Sequence, residues 1–212
     1  MKISASFLSI KNNLKENIDK LTDLDIDYLH LDIMDGLFVN NKTYEIKEIE
    51  DIINNKKPLD VHLMVSDVYK YIDDFKNLNP EFITFHYEVN HDIMDLIKYL
   101  KSLNISVGIS IKPDTKVTEL LPYLPYIDLV LVMSVEPGFG GQKFIENSID
   151  KINELYELRK DNNYKYLIEV DGGINDTNIE KLKKADILVI GSFITNGDYS
   201  KNLSIVKEKI YG

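Results

Sequence analysis

The chain has 212 residues, enough for two small domains or one large barrel, and its 44% hydrophobic and 28% charged composition supplies a full core and argues against disordered, collagen-like and low-complexity classes. With 25 Lys+Arg against 35 Asp+Glu the net charge is −10, which argues against a nucleic-acid binder, because that function needs a basic face to displace counterions. Zero Cys removes disulfides, thiolate metal sites and cysteine nucleophiles, no apolar run approaches the ~18 residues of a membrane span, and the start turns polar too early for a signal peptide, so a cytoplasmic protein without membrane or nucleic-acid partners is expected.

Eight short apolar, β-branched runs predict strands at 2–8, 26–34, 58–64, 82–86, 105–111, 127–133, 166–170 and 186–191. Segments of helical spacing fall between them at 12–24, 44–54, 68–78, 92–103, 148–160, 178–184 and 199–210. The piece at 115–121 is short and closed by Pro122 and Pro125. Strict alternation requires parallel pairing through crossovers, and eight such units close into a (β/α)8 barrel, with a doubly wound open sheet as the alternative. No linker or composition shift divides the pattern, so one domain over 1–212 is expected.

Residues capable of chemistry collect where the predicted strands end. His30 and Asp32 close the second run, His62 the third, His86 the fourth and Asp171 the seventh. In a parallel barrel those ends share the face on which active sites are built. The two-residue period of a strand puts His30 and Asp32 on one side of it and Leu29, Leu31 and Ile33 on the other. Two imidazoles and two carboxylates, from His30, Asp32, His62 and Asp171, suit Zn, Mn, Fe or Co better than Ca or Mg; a metal-free polar cluster is the alternative. Glycine-rich turns follow the last three strands at Gly138, Gly140 and Gly141, at Gly172 and Gly173, and at Gly191-Ser192, and three neighbouring loops of this kind suit a phosphate held by backbone N–H groups. Backbone must do this work, because the sole arginine, Arg159, lies in a charged helical stretch. Met34, Met64 and Met133 also sit at strand ends, as core or as an apolar lining over a reacting centre.

These residues resemble one family. The stretches 6–9, 29–36, 60–65, 132–144 and 168–173, in this order and spacing, are similar to ribulose-phosphate 3-epimerases. The resemblance implies a (β/α)8 barrel that interconverts D-ribulose 5-phosphate and D-xylulose 5-phosphate in the pentose phosphate pathway. It further implies one divalent metal per subunit on His30, Asp32, His62 and Asp171, with zinc foremost, and an acid/base pair of Asp32 and Asp171. Substrate contacts would come from Ser6, Met34, His62, Met64, Met133, Gly138, Phe139, Gly140, Gly141, Gly172, Gly173, Gly191 and Ser192. A small sugar phosphate is the expected partner, and a homo-oligomer the expected assembly. Two departures stand out: Asn40-Asn41 replaces the usual Pro-Asn, which is expected to loosen that loop, and Phe193 puts a large ring beside the expected phosphate site. Alternatives are a six-carbon ketose phosphate such as D-allulose 6-phosphate, Schiff-base chemistry at Lys112, and a non-catalytic sugar-phosphate sensor.

Overall fold

Every strand of an alternating chain returns to its sheet through a crossover, so its neighbours pair with it in parallel. In the structure, a computed structural model that describes residues 1–53 and 55–212, eight strands do so: β1 (Lys2–Ser6), β2 (Tyr28–Met34), β3 (Leu59–Met64), β4 (Phe82–His86), β5 (Ser106–Ile111), β6 (Leu129–Met133), β7 (Leu167–Asp171) and β8 (Ile187–Ile190). They follow one another around a closed barrel, and β8 pairs back on β1. Closure removes the open doubly wound sheet from consideration and makes the fold a (β/α)8 barrel.

The helices are α1 (Leu14–Thr22), α2 (Ile46–Ile52), α3 (Val68–Phe75), α4 (Ile93–Ser102), α5 (Ser148–Asn162), α6 (Ser192–Thr195) and α7 (Tyr199–Tyr211). Caps explain several boundaries. Asp67, Asp92 and Asp198 each accept a hydrogen bond from a first-turn backbone N–H, and Glu45 and Glu48 form a reciprocal capping box that starts α2 two residues later than expected. The expected end of that helix at Asn54 lies outside the described residues. The helix expected over 178–184 is instead a 3-10 turn, Ile179–Leu182. Seven residues are too few to repay helix nucleation, and Ile179 and Leu182, three apart and both buried, fit the tighter period.

Outward-facing strand residues such as Leu29, Leu31, Ile33, Val61 and Leu63 join the helices in the main core. Inside the barrel, Tyr28, Phe82, Leu129 and Ile187 plug the N-terminal ends of the strands with apolar side chains. Above that plug the interior turns polar, with Ser4, His30, Asp60, Thr84, Ser110 and Glu169 all buried. Gly108 makes room there: it pairs with Thr84 across β4 and β5, and a Cβ at Gly108 would stand 2.1 Å from Thr84 Oγ1. Gly108→Ala is therefore expected to cost about 1–3 kcal/mol by overpacking, read as a lower urea midpoint. An unchanged midpoint would mean that the Thr84 side chain swings clear without loss.

Candidate active site

The period of β2 turns His30, Asp32 and Met34 into the barrel. Its register with β3 sets His30 beside Asp60, Asp32 beside His62 and Met34 beside Met64, and β7 brings Asp171 to the same end, level with Met133. His30 Nε2 and His62 Nδ1 each lie 3.4 Å from Asp32 Oδ1, and His62 Nδ1 lies 4.0 Å from Asp171 Oδ2. Each of the four side chains offers an atom within 4.8 Å of the other three. Strand alternation and register thus bring together the four residues expected from the sequence.

The donor set fits a small cation. His30 Nε2 and His62 Nδ1 are buried and have no hydrogen-bond partner, and bare imidazole nitrogens facing carboxylates are what a metal requires. Bonds of about 2.0–2.2 Å to a tetrahedral ion place ligand atoms about 3.4 Å apart, the separation that the two shorter pairs already have. The same neighbours set the two carboxyls apart. Burial raises the Asp32 carboxyl, but His30 and His62 more than offset this and hold it well below the usual carboxylate range. Burial, and then the Asp32 charge, push Asp171 up to about 7.

Beneath it lies a tier of partners that strand-end reasoning missed. Asp60 Oδ2 is 2.7 Å from His30 Nδ1 and accepts from Ser4 Oγ at 2.7 Å. Because a carboxylate only accepts, Asp60 fixes the proton on His30 Nδ1 and leaves Nε2 to face Asp32. Glu169 stands close by, and burial together with the Asp60 charge pushes its carboxyl well above the usual range. The signal for these residues was in the sequence: the two-residue period that joins His30 to Asp32 also joins Ser4 to Ser6, Asp60 to His62 and Glu169 to Asp171. His86, which closes the fourth predicted strand, also belongs here: its Nε2 is 2.9 Å from His62 Nε2. His91 lies apart at the start of α4, where its Nε2 bonds the Ser66 carbonyl oxygen.

Asp32 and Asp171 open into a cleft at the C-terminal ends of the strands. Ser6, Met34, Met64, Met133, Gly138, Phe139, Gly140, Gly141, Gly172, Gly173, Gly191 and Ser192 all line it. His62 does not: it is fully buried below the floor. Ser6 Oγ donates to Asp32 Oδ2 at 2.8 Å, which orients that carboxylate.

The loop after β6 is held from within and without. Gln142 Nε2 donates to the carbonyl oxygens of Glu136 and Phe139, at 2.6 and 2.8 Å, and Asn41 Nδ2 donates to Gly138 O at 2.8 Å. Asn41 therefore ties the β2–α2 loop to the loop after β6. Asp35 adds to this, accepting from the backbone N–H groups of Leu37, Phe38 and Ser66. Phe193 is half-buried in a recess it shares with Gly141, Gly173 and Ser192, so its ring does stand beside the glycine loops. Arg159 is spent elsewhere, on Asp186 and the Tyr166 carbonyl oxygen.

Comparison with known proteins agrees with this geometry. Residues 2–195 match the model of the Ribulose-phosphate 3 epimerase family. A ribulose-phosphate 3-epimerase of Helicobacter pylori (strain J99 / ATCC 700824) is 39% identical over 198 residues, 92% of this chain and 90% of that protein. One from Aquifex aeolicus is 40% identical over 171 residues, 79% of this chain and 77% of that protein. Among solved structures, 3-hexulose-6-phosphate synthase from Salmonella typhimurium superposes with a TM-score of 0.74 at 16% identity, covering 99% of this chain and 98% of that one, a likeness of fold. No helix among the described residues is long and apolar enough to cross a membrane. A barrel whose strand ends gather two histidines and two aspartates, with such relatives along most of its length, belongs to the ribulose-phosphate 3-epimerase family of carbohydrate-converting enzymes.

Proposed function

We propose that this chain, one domain over 1–212, epimerises D-ribulose 5-phosphate and D-xylulose 5-phosphate at C3 with Asp32 and Asp171 as the acid/base pair. The observation that carries the reading is the pairing of two carboxylates, from β2 and β7, at the floor of one cleft. Inversion at a carbon beside a carbonyl needs one group to take the C3 proton and a second to return a proton from the opposite face. The proton removed passes to one carboxylate, the electron pair flows into the C2 carbonyl to give an enediolate, and the other carboxyl protonates C3. Met34, Met64 and Met133 exclude water from the carbon being inverted. Ser6 keeps Asp32 aimed into the cleft.

His30, Asp32, His62 and Asp171 would hold one divalent ion per subunit, zinc foremost, with Mn, Fe or Co able to serve. Such an ion supplies Lewis-acid stabilisation of negative charge on the substrate oxygens. The loops at Gly138–Gly141, Gly172–Gly173 and Gly191–Ser192 would hold the phosphate through backbone N–H groups. Lys112 is a poor candidate for Schiff-base chemistry, since its ammonium lies 4.2 Å from the centre of the Phe38 ring and does not line the cleft. We place the enzyme in the cytoplasm, in keeping with its lack of cysteine.

The test is a coupled assay for D-xylulose 5-phosphate formation from D-ribulose 5-phosphate. Chelator-treated protein is expected to lose turnover and to regain it with Zn, Mn, Fe or Co. Turnover of D-allulose 6-phosphate alone would move the substrate to six carbons. Binding of both sugars without turnover in any metal state would make the chain a sensor.

A further inference from the structure

His62 and His86 meet nitrogen to nitrogen. Both rings are fully buried, with His62 Nε2 2.9 Å from His86 Nε2 and the ring centres 5.0 Å apart. On its far side, His86 Nδ1 lies 3.1 Å from Glu88 Oε2. The other oxygen of Glu88 accepts from the Lys112 backbone N–H at 2.9 Å and from the Thr115 hydroxyl. The Phe38 ring, 4.8 Å from His86, covers the pair from the side. None of these contacts is needed for substrate to enter the cleft, and neither His86 nor Glu88 lines it.

We propose that Glu88 and His86 are positioning residues that set the tautomer of His62, leaving its Nδ1 lone pair aimed at Asp32 and Asp171. The order of donors fixes the direction. The Glu88 carboxylate only accepts, so His86 carries its proton on Nδ1. The Nε2 of a neutral His86 then only accepts, so His62 donates from Nε2. Its Nδ1, 3.4 Å from Asp32 Oδ1, is left bare and has no partner.

The relay opposes a local preference. A carboxylate 3.4 Å from an imidazole nitrogen attracts an N–H, so Asp32 alone would favour the tautomer protonated on Nδ1, which has no lone pair on that nitrogen to offer a cation between Asp32 and Asp171. Asp60 settles the same choice for His30 by direct contact. His62, farther from any carboxylate on its Nε2 side, has the choice relayed through a second ring. This inference rests on the reading of His62 as a metal ligand, but its tautomer can be read without metal.

The experiment uses nitrogen-15 histidine spectra of the metal-free full chain, together with zinc affinity by chelator competition. Wild type is expected to show His62 protonated on Nε2 and His86 on Nδ1. Glu88→Gln is nearly isosteric but has one acceptor, which the Lys112 N–H claims. Its amide N–H2 then faces His86 Nδ1, so both rings should exchange tautomers and zinc affinity should fall about 10–100-fold. Thr115→Val keeps the carboxylate on His86 and should keep both tautomers. His86→Phe, which removes the acceptor altogether, should also weaken zinc, and serves if Glu88→Gln does not fold. A wild-type spectrum with the His62 proton on Nδ1 overturns the proposal without any variant, and so does a folded Glu88→Gln with unchanged tautomers and affinity. If wild type has the expected tautomers but binds no zinc, the metal reading fails while the relay stands.

Discussion

Asp171→Asn is expected to lower kcat by about 10²–10⁴-fold, the usual worth of one positioned proton transfer, with Asp32→Asn at least as severe. Asp32 has further to fall, because its Oδ1 also faces both imidazoles and its Oδ2 accepts the Ser6 Oγ hydrogen bond. An asparagine there presents an N–H2 to groups arranged around an acceptor, which costs cation affinity as well as basicity. The two losses should not multiply. The carboxylates act as a unit on one proton inventory, so the double variant should be little worse than the poorer single one.

Exchange in deuterated water separates two-base inversion from its rivals. In the proposed mechanism each epimer presents its C3 hydrogen to one carboxylate only. With asparagine at one position, the remaining carboxylate can still remove and exchange that hydrogen from one epimer while epimerisation is lost. Asp32→Asn and Asp171→Asn should therefore exchange opposite epimers. Loss of exchange from both epimers in one variant, and retention of both in the other, would assign all proton transfer to a single group and refute the paired mechanism.

The fold was legible because its signals are periodic. Alternation of apolar runs with helical segments fixes parallel pairing, and residue parity within β2 fixes which side chains face inward. Helix ends were less legible, since they depend on caps such as the Glu45–Glu48 box and on whether a short segment can repay nucleation, as at Ile179–Leu182. Within the site, Asp171 ends its strand, Asp32 and His62 lie two residues before the ends of theirs, and the two-residue period drew in His30 with Asp32. Asp60 and Glu169 were overlooked because each lies two residues further in than His62 and Asp171, where an acidic residue in an apolar run reads as an irregularity. The contact between His62 and His86 required the β3–β4 register and the direction of each ring, neither of which composition or spacing supplies.

The other large effect expected is at Gly173. Its φ of +65° is a left-handed conformation, and a Cβ there would meet only backbone: Phe144 N at 2.5 Å, Gln142 O at 2.8 Å and Phe144 Cα at 2.9 Å. A flexible side chain could yield to a methyl group; these atoms belong to the loop after β6 and cannot move without carrying it. Gly173 cannot withdraw either, because its carbonyl oxygen accepts from Asn175 and Asn178 side chains at 3.2 and 2.9 Å. Gly173→Ala should therefore displace Gly138–Gly141 from the phosphate, and a shift of about 1 Å can cost about 10²-fold in kcat/KM. The strained backbone adds about 1–3 kcal/mol of lost stability, visible as a lower Tm. Because the loop would hold phosphate rather than the reacting carbon, the loss should appear chiefly in KM for D-ribulose 5-phosphate and should be much smaller with unphosphorylated D-ribulose. Equal losses for the two sugars would show that the contact positions the carbon skeleton, and an unchanged KM would show that the loop after β6 does not depend on Gly173 for its place.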